Sequence, residues 1–315
     1  MSEDNEEVDV SCCCAACGIA EIDDIKLVPC DGCDLVRYCS DACREDHKAD
    51  HEEACKKRAA ELRDELLFKQ PESTHMGDCP ICSLPLPFDQ QKSILKGCCS
   101  KFICSGCAVA TAIREMEMRL ERYCPFCREP APENERRARK LLMKRVKAND
   151  PVAISQEGAF RHDKGDYRKS FDYSTKAAEL GDVESHFRLA ILYHHGKGAE
   201  KDEGKETHHL TEAAIGGHPE ARHHLGNNEW QSGNFERAVK HWTISAALGF
   251  DESIKNLLEA FKEQKEVYVS KEDLDAALRA HKAAVDATKS PQRKKAEEYR
   301  RFRQEFYQNN GLIDD

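Results

Sequence analysis

Cysteine is absent from the whole C-terminal part of this chain, because none of its 17 cysteines follows Cys127. Also missing is any apolar run of the roughly 20 residues that a membrane crossing needs. The first residues are acidic and include no apolar stretch of the kind that marks a secretory signal peptide. These absences argue against a disulfide-stabilised secreted protein and against a membrane protein. We expect a reducing compartment, cytoplasmic or nuclear, in which the thiols hold metal.

Excess positive charge is also lacking. The chain carries 48 lysines and arginines against 58 aspartates and glutamates, which gives a formal net charge of −10. An acidic balance disfavours general affinity for nucleic acid, because binding to phosphates depends on cationic side chains. The cysteine spacing is not that of DNA-binding fingers with a recognition helix. We therefore expect protein partners, and neither a membrane nor nucleic acid.

What the N-terminal part does contain is metal ligands in close pairs. Between residues 14 and 55, seven cysteines and one histidine fall in four pairs. The four-residue separation of His51 and Cys55 places both side chains on one face of a helix. Four such ligands complete a tetrahedral zinc site, so this stretch has enough for two. The candidate ligands are Cys14, Cys17, Cys30, Cys33, Cys39, Cys43, His51 and Cys55.

This stretch resembles the MYND zinc finger in its spacing, in its Tyr38-Cys39-Ser40 motif and in its final histidine and cysteine. The family usually carries a tryptophan where this chain has Lys48, so a groove for proline-rich peptides does not carry over. The resemblance implies two interleaved sites. One would take Cys14, Cys17, Cys39 and Cys43, and the other Cys30, Cys33, His51 and Cys55.

Three residues near these ligands are left over. We expect Cys12 and Cys13 to be thiols of a disordered tail, and the other interpretation is an alternative ligand or a redox sensor. His47 lies close to the ligands in sequence, but we expect it to stay outside the sites because eight ligands are present without it.

A second cluster runs from Cys79 to Cys127. Its eight cysteines are enough for two tetrahedral zinc sites with no other type of ligand. A segment this short cannot bury a core large enough to fold alone, so zinc binding should supply its folding free energy. The candidate ligands are Cys79, Cys82, Cys98, Cys99, Cys104, Cys107, Cys124 and Cys127.

The spacing of this second cluster resembles a RING finger, and more closely the all-cysteine RING of some ubiquitin ligases, where a cysteine replaces the usual histidine. A helix is expected over about residues 106–120, where RING fingers have one. Cys98 and Cys99 are adjacent, whereas the family has one residue between these ligands, so a tight backbone turn is required. The implied cross-brace pairs Cys79, Cys82, Cys104 and Cys107 on one zinc, and Cys98, Cys99, Cys124 and Cys127 on the other.

Under this resemblance three other residues carry the ligase activity. Ile81 and Pro125 occupy places that contact the ubiquitin-conjugating enzyme, and Arg128 occupies that of the cation that holds the ubiquitin thioester. A guanidinium suits that role because its planar fork can bond two carbonyls. The implied mechanism is positioning, with structural zinc and no nucleophile. The other interpretation makes Ile81 and Pro125 packing residues and Arg128 a solvated charge, and Ala108, where ligases often have a large apolar residue, favours it.

Two helical linkers are expected. Residues 56–70 read as a short amphipathic helix that Pro71 ends, and this helix forms the linker at 58–75. Residues 132–150 form a basic helix whose Leu141, Leu142 and Val146 pack inward; contact with nucleic acid and nuclear import are the alternatives.

Internal repetition marks the region from residue 151 to about 288. Each unit reads as a helix, a glycine turn, a second helix and a closing glycine, where a left-handed residue ends each helix. The recurring residues are Ala177-Ala178 with Gly181, Ala213-Ala214 with Gly217, and Ser245-Ala246 with Gly249.

These units, with the extended Gly196-Lys197-Gly198 turn of the middle one, resemble Sel-1-like repeats, relatives of the tetratricopeptide repeat. The resemblance implies a stack of helix pairs that binds a protein, and a structural spacer is the alternative. Histidines are frequent here. We expect most of them on exposed helix faces rather than in a metal site. They are His186, His194, His195, His208, His209, His218, His223 and His224.

The sequence therefore predicts a multidomain chain: two small cross-brace zinc-binding domains with little regular structure, of α+β type, followed by an all-α helical-repeat solenoid. We expect about four structural Zn²⁺ ions per chain. The predicted segments are an acidic disordered tail at 1–11, a MYND-type finger at 12–57, a helical linker at 58–75, a RING-type finger at 76–131, a basic linker helix at 132–150, repeats at 151–288, and a charged C-terminal helix and tail at 289–315.

Two functions follow from this architecture. The first is a RING-type ubiquitin ligase or ligase adaptor, in which the second finger positions a ubiquitin-conjugating enzyme and the repeats bind a protein substrate. The alternative is a non-catalytic scaffold whose fingers and repeats bind peptides or proteins. No SET-type methyltransferase sequence accompanies the first finger, so that enzyme class is not expected.

Overall fold

A computed structural model of the chain describes residues 13–22, 24–262 and 268–309. The chain divides into an N-terminal unit, Met1–Lys69, and a C-terminal unit, Gln70–Asp315. The acidic tail expected at 1–11, and Cys12, lie outside the described residues. None of the helices in the described ranges combines the length and the apolar character that a bilayer crossing demands.

The N-terminal unit is built from short elements around a very small core. Strand β1, Val28–Pro29, pairs antiparallel with β2, Arg37–Tyr38. Helix α1, Asp41–Asp46, is followed by the long helix α2, Lys48–Phe68. Buried Leu27 and Tyr38 pack against Cys14. So little apolar surface cannot hold the unit together alone, which points to its thiols as the organising groups.

Helix α2 differs from the expected linker in one respect. It is a single helix of 21 residues, so the turn that carries His51 and Cys55 continues without a break into the linker. The reason is composition, because alanine, glutamate, lysine and leucine dominate from Lys48 onward and no glycine or proline occurs before Pro71.

In the C-terminal unit, residues 76–131 form the second cysteine module. Strand β3, Ser93–Lys96, and β4, Lys101–Cys104, make an antiparallel hairpin, and α3, Ser105–Glu117, follows directly. The hairpin is preceded by a single 3₁₀ turn at Gln90–Lys92. Buried Leu86 and Ile103 form its core together with the thiols of Cys79, Cys104 and Cys107.

The basic linker helix, α4, Glu135–Lys147, packs onto the repeats as the sequence predicts. Leu141 and Val146 are buried on its inner face. Its Arg139 donates to both carboxylate oxygens of Glu157, at 2.7 and 2.8 Å, and the Glu157 side chain is fully buried. A buried carboxylate is stable only with such partners, so this ion pair fixes the position of α4.

Eight helices follow in antiparallel pairs, and consecutive helices pack together along the chain. Side chains at the N-caps begin most of them: Asp150, Asp182 and Asp202 each accept the backbone N–H three residues on. The helices are α5, Pro151–Asp163; α6, Tyr167–Glu179; α7, Val183–His195; α8, Glu203–Ile215; α9, Pro219–Gln231; α10, Phe235–Ala247; α11, Asp251–Lys262; and α12, Lys271–Ala287.

Glycine is required in the extended turn of the middle repeat. Gly198 has φ of +80°, and a Cβ there would lie 2.3 Å from the carbonyl oxygen of Tyr167. Only a residue without a side chain permits this approach, which is why the turn carries the Gly-x-Gly pattern.

The charged C-terminal helix packs on a partner that its sequence does not indicate. Helix α13, Pro291–Asn309, packs against α3 of the second cysteine module. Ala296 is buried in this contact region, and Lys92 pairs with Glu297 at 3.2 Å. The C-terminal helix is therefore part of the second cysteine module, more than 150 residues away along the chain.

Candidate metal centres

The first group of ligands in the N-terminal unit has the spacing of a tetrahedral metal site. Cys17 Sγ and Cys43 Sγ each lie 3.6 Å from Cys39 Sγ. Four sulfurs bound at about 2.3 Å around zinc are about 3.8 Å apart, close to these distances. All four ligand atoms of Cys14, Cys17, Cys39 and Cys43 lie within 4.8 Å of one another. These thiols therefore fit a structural zinc ion.

The second group interleaves with the first. Cys30 Sγ lies 3.7 Å from Cys55 Sγ, and Cys33 Sγ lies 3.2 Å from His51 Nε2. His51 and Cys55 occupy successive turns of α2. Gly32 packs closely beside them, because an added Cβ there would lie 3.0 Å from Cys55 Sγ and this sulfur would have to shift by a few tenths of an ångström. The four ligand atoms lie within 4.8 Å of one another and fit a Cys₃His site.

His47 lies next to this second group without joining it. Its Nδ1 is 3.1 Å from the Tyr38 hydroxyl, and its ring stacks on that of His51. The contact with Tyr38 fixes the orientation of a ring that packs on a ligand, so the role of His47 is to support His51.

In the second cysteine module, the thiols of Cys79, Cys82, Cys104 and Cys107 converge. Cys82 Sγ and Cys104 Sγ are 3.9 Å apart, and the backbone N–H of Cys104 points at Cys79 Sγ at 3.4 Å. Burial raises the pKa of the Cys79 thiol, but this N–H and those of Cys82 and Ile81 outweigh it and lower the pKa to about 7. A thiol of that kind ionises readily for metal binding.

The remaining thiols, those of Cys98, Cys99, Cys124 and Cys127, form the other group of this module. Cys99 Sγ lies 3.7 Å from Cys124 Sγ. The adjacent ligands are accommodated by the turn between β3 and β4, in which Ser100 has φ of +56° and donates its N–H to Lys96 O at 2.8 Å. This is the tight turn that the adjacency of Cys98 and Cys99 demands.

The three residues tied to ligase activity lie outside these groups. Ile81 is 43% exposed, and Pro125 and Arg128 are also exposed. Arg128 has φ of +61° because its N–H closes the ligand loop on Cys124 O at 3.1 Å. Ala108 is half-buried. The three side chains are accessible to a partner, and their roles stay predictions.

One group of possible ligands was not anticipated from the sequence. His218 was expected on an exposed helix face, but it is 1% exposed and its ring stacks on His75, with ring centroids 4.4 Å apart. Glu184 Oε2 lies 3.4 Å from His218 Nε2 and 3.5 Å from His75 Nε2. No local signal joins residues so distant in sequence; stacking of the repeats brings Glu184 and His218 together.

This group does not fit a metal ion. His218 Nδ1 accepts the backbone N–H of Ala221, so the ring proton lies on Nε2 and is donated to Glu184. Arg188 holds the other carboxylate oxygen of Glu184 at 3.1 Å. Burial raises the pKa of Glu184, but the bonds from His218 and His75 outweigh it and hold the pKa well below its ordinary value. The group is a hydrogen-bonded ion network.

Another histidine expected at the surface is also buried. His223 is 9% exposed, and its orientation follows from its neighbours. Trp242 donates its N–H to Asn227 Oδ1, so Asn227 Nδ2 donates to His223 Nε2, and His223 Nδ1 donates to Ser253 Oγ. Burial lowers the pKa of His223 to about 4. The expectation that most of the eight histidines are exposed is wrong: three are exposed, three are half-buried and two are buried, which are His194, His195 and His208, then His186, His209 and His224, then His218 and His223.

Comparison with known proteins identifies two of the modules. The MYND finger family matches residues 14–55, and the Sel1 repeat family matches residues 154–182, 183–218 and 220–250. No curated protein matches the chain.

Two similar solved structures are Sel1-type proteins. A Sel1 repeat protein from Oxalobacter formigenes is 23% identical, with a TM-score of 0.42, and the match covers 48% of this chain and 66% of that one. A protective antigen of uropathogenic Escherichia coli strains that displays an SLR fold is 20% identical, with a TM-score of 0.38, and the match covers 53% of this chain and 36% of that one. The matches to these two proteins thus span less than two thirds of their length.

The family matches leave the RING-type assignment of the second cysteine module a prediction. They imply zinc binding by the first module, and they support a zinc-finger region followed by helical repeats. This chain contains a MYND finger at residues 14–55 and three consecutive Sel1 repeats between residues 154 and 250.

Proposed function

We propose that this protein is a protein-protein interaction scaffold, in which a MYND finger and Sel1 repeats bind different partners in the cytosol or nucleus. The observation that carries the proposal is the combination of these two modules in one chain. Sel1 repeats generally mediate protein interactions, and stacked repeats offer an extended surface for this purpose. About four structural zinc ions per chain would hold the two cysteine modules in shape.

The repeats contain a groove that suits a peptide. It lies between α9 and α11 and is lined by Trp230, Asn227, Asn256 and the exposed Glu259. Asn227 Oδ1 accepts from Trp242 and from Asn256 Nδ2, at 3.0 and 2.8 Å, which fixes its amide. The half-buried Trp230 provides apolar contact and the exposed Glu259 provides a charged group at the rim, a combination that suits peptide recognition.

The test is affinity capture with the full chain, followed by quantitative mass spectrometry. Glu259→Arg reverses the charge at the rim of the groove, and Glu179→Arg makes the same change on the exposed surface of α6. We expect Glu259→Arg to lose a defined set of partners that wild type and Glu179→Arg retain. Identical partner sets for all three proteins would contradict the use of this groove.

Ubiquitin ligation by the second cysteine module is a second candidate. The observation that favours it is the exposure of Ile81, Pro125 and Arg128 beside two interleaved groups of four thiols. In this hypothesis the module positions a ubiquitin-conjugating enzyme, and the chain supplies no covalent chemistry.

Self-ubiquitination with a panel of conjugating enzymes decides between the candidates. A ligase predicts activity that Ile81→Ala and Arg128→Ala each reduce by tenfold or more, while Ile94→Ala, at a comparably exposed position on β3, has no effect. Absence of activity with every conjugating enzyme would contradict the ligase hypothesis and leave only the scaffold hypothesis. Activity that survives both substitutions would contradict the assigned roles of Ile81 and Arg128.

A further inference from the structure

Arg293, in the first turn of α13, reaches into the ligand loop of the second cysteine module. The residue is 5% exposed. Its Nη1 donates to Pro85 O and Thr288 O, both at 2.7 Å, and its Nη2 donates to Leu84 O at 3.2 Å. The same Nη2 lies 3.6 Å from Cys82 Sγ, within reach of an N–H···S contact. The guanidinium of Arg293 thus contacts both the loop that follows Cys82 and the sulfur of Cys82 itself.

The positive charge of Arg293 is buried and requires a compensating negative charge nearby. Burying a cation costs several kcal/mol unless an anion or strong acceptors compensate it. Its acceptors here include three carbonyl oxygens and one thiol sulfur. A zinc ion bound by four thiolates carries a net charge of about −2, from +2 and −4. Such a centre would supply the missing negative charge, because Cys82 belongs to it.

We propose that Arg293 is the positioning residue that stabilises the metal centre of Cys79, Cys82, Cys104 and Cys107, and that metal binding there is coupled to the docking of α13. This proposal rests on the proposed zinc content of the second cysteine module. Partners outside the ligand set commonly change metal affinity by about 10- to 100-fold.

Close packing makes the coupling strict. A Cβ on Gly106 would lie 2.8–2.9 Å from Arg293 N, Cα and Cγ, so α13 approaches the start of α3 as closely as a glycine allows. Gly106 lies between the ligands Cys104 and Cys107. A shift of α13 therefore moves Cys104 and Cys107 through the backbone, and loss of the metal weakens the packing of α13 against α3.

The experiment measures zinc release from the full chain to a chromogenic chelator. The variants are Arg293→Gln, which removes the charge, Arg293→Lys, which keeps it, and Lys295→Gln, a matched control at an exposed position of α13. We expect Arg293→Gln to release one zinc equivalent at least tenfold faster and the others at the wild-type rate. Arg293→Lys should lie closer to wild type than Arg293→Gln does, and Lys295→Gln should match wild type.

Three results would overturn the proposal. The first is that Arg293→Gln releases zinc at the wild-type rate. The second is that this substitution accelerates the release of every zinc equivalent to the same extent. The third is that Arg293→Lys and Arg293→Gln have equal effects, because the shape of the side chain rather than its charge would then be the cause. Failure of the underlying zinc assignment is seen separately with Cys79→Ser. If that substitution leaves the zinc content of the chain unchanged, the metal centre itself is absent.

Discussion

At the scale of single residues, the position after the second cysteine of a pair shapes the ligand loops. Gly18, Ser83, Ser100 and Arg128 all have positive φ, between +53° and +74°. The first three follow Cys17, Cys82 and Cys99, and Arg128 follows Cys127. A left-handed residue turns the backbone so that its N–H reaches back along the loop, and both sulfurs face the same point. Three of these residues are not glycine and accept a cost of about 1–2 kcal/mol, so the ligand geometry must repay it.

Gly226 in α9 offers a test of packing between helices. A Cβ there would lie 2.5 Å from Trp242 Nε1, whose bond to Asn227 holds the ring in place. We expect Gly226→Ala to reduce the free energy of unfolding by about 1–3 kcal/mol, because neither the ring nor the backbone has room to move. Chemical denaturation followed by circular dichroism measures this loss.

The matched control is Gly204→Ala in the first turn of α8. Its nearest neighbour to an added Cβ is Asp202 Oδ1 at 3.4 Å, so the site is open. This substitution should be neutral or stabilise by up to about 1 kcal/mol, because alanine loses less backbone entropy in a helix. Equal effects of the two substitutions would contradict the close contact at Trp242.

His223 gives the repeats a dependence on pH. Its pKa is about 4 in the folded chain against about 6.5 when unfolded, so only the unfolded chain binds the proton between these values. The contribution is fully present above pH 6.5 and is lost as the pH falls towards 4. We expect His223→Gln to flatten the slope of unfolding free energy against pH by up to about 1.4 kcal/mol per pH unit.

The measurement is denaturant unfolding at several pH values from 4 to 7. Acid also protonates the thiols of the cysteine modules, but that effect is common to wild type and variant and cancels in the difference. His195→Gln, at an exposed position, should keep the wild-type slope. A variant slope equal to that of wild type would show that His223 is not buried in its neutral form.

At the scale of elements, local signals were sufficient where the cause was local. Asp150 and Pro151 begin α5 as their sequence indicates, and Ser270 caps α12 by accepting the N–H of Asp273 at 3.1 Å. The extent of α2 and the docking of α13 were not predicted. The first follows from a helical composition that continues from the ligand pair into the linker, whereas ligand spacing marks only where the metal site ends. The second depends on Gly106 and Arg293, whose proximity no spacing reveals.

The turn that carries the first cysteines gives a prediction at this scale. Cys14 Sγ belongs to the first ligand group, whereas Cys13, its neighbour in sequence, does not. We therefore expect Cys14→Ser to lower the zinc content by about one equivalent per chain, and Cys13→Ser to leave it unchanged. Elemental analysis of the purified proteins measures both. Loss of zinc in Cys13→Ser instead would reassign the ligand.

At the scale of the whole molecule, the order of modules was accessible from the sequence, and contacts within the C-terminal unit were not. The backbone N–H of His75 donates to Gly217 O at 3.1 Å, and Phe88 contacts both His218 and Phe250 through their rings. The segment that leads into the second cysteine module thus lies along turns between repeats. Whether a histidine of the repeats is buried depends on this packing and leaves no local pattern in the sequence.

Removal of metal by a chelator should distinguish the part of the chain that depends on metal for its fold from the part that depends on an apolar core. In the N-terminal unit, the core consists of buried Leu27 and Tyr38 with Cys14 and a few partly buried side chains such as Ile25 and Val36, so metal removal should unfold it. The repeats bury a larger apolar cluster that includes Trp242 and Leu257, so they should keep their helices. Hydrogen exchange with and without chelator should rise across residues 24–69 and change little across residues 219–262. Unchanged exchange in residues 24–69 would contradict a metal-dependent fold.

Arg293 follows Cys82 by 211 residues, so the ribosome adds Arg293 to the chain well after Cys82. At about 5–20 residues per second, translation separates the two by roughly 10–40 seconds. During that interval the second cysteine module lacks α13 and therefore the guanidinium of Arg293. A nonsense codon between those of Cys127 and Arg293 would therefore affect the second cysteine module, although every codon of its eight cysteines is intact.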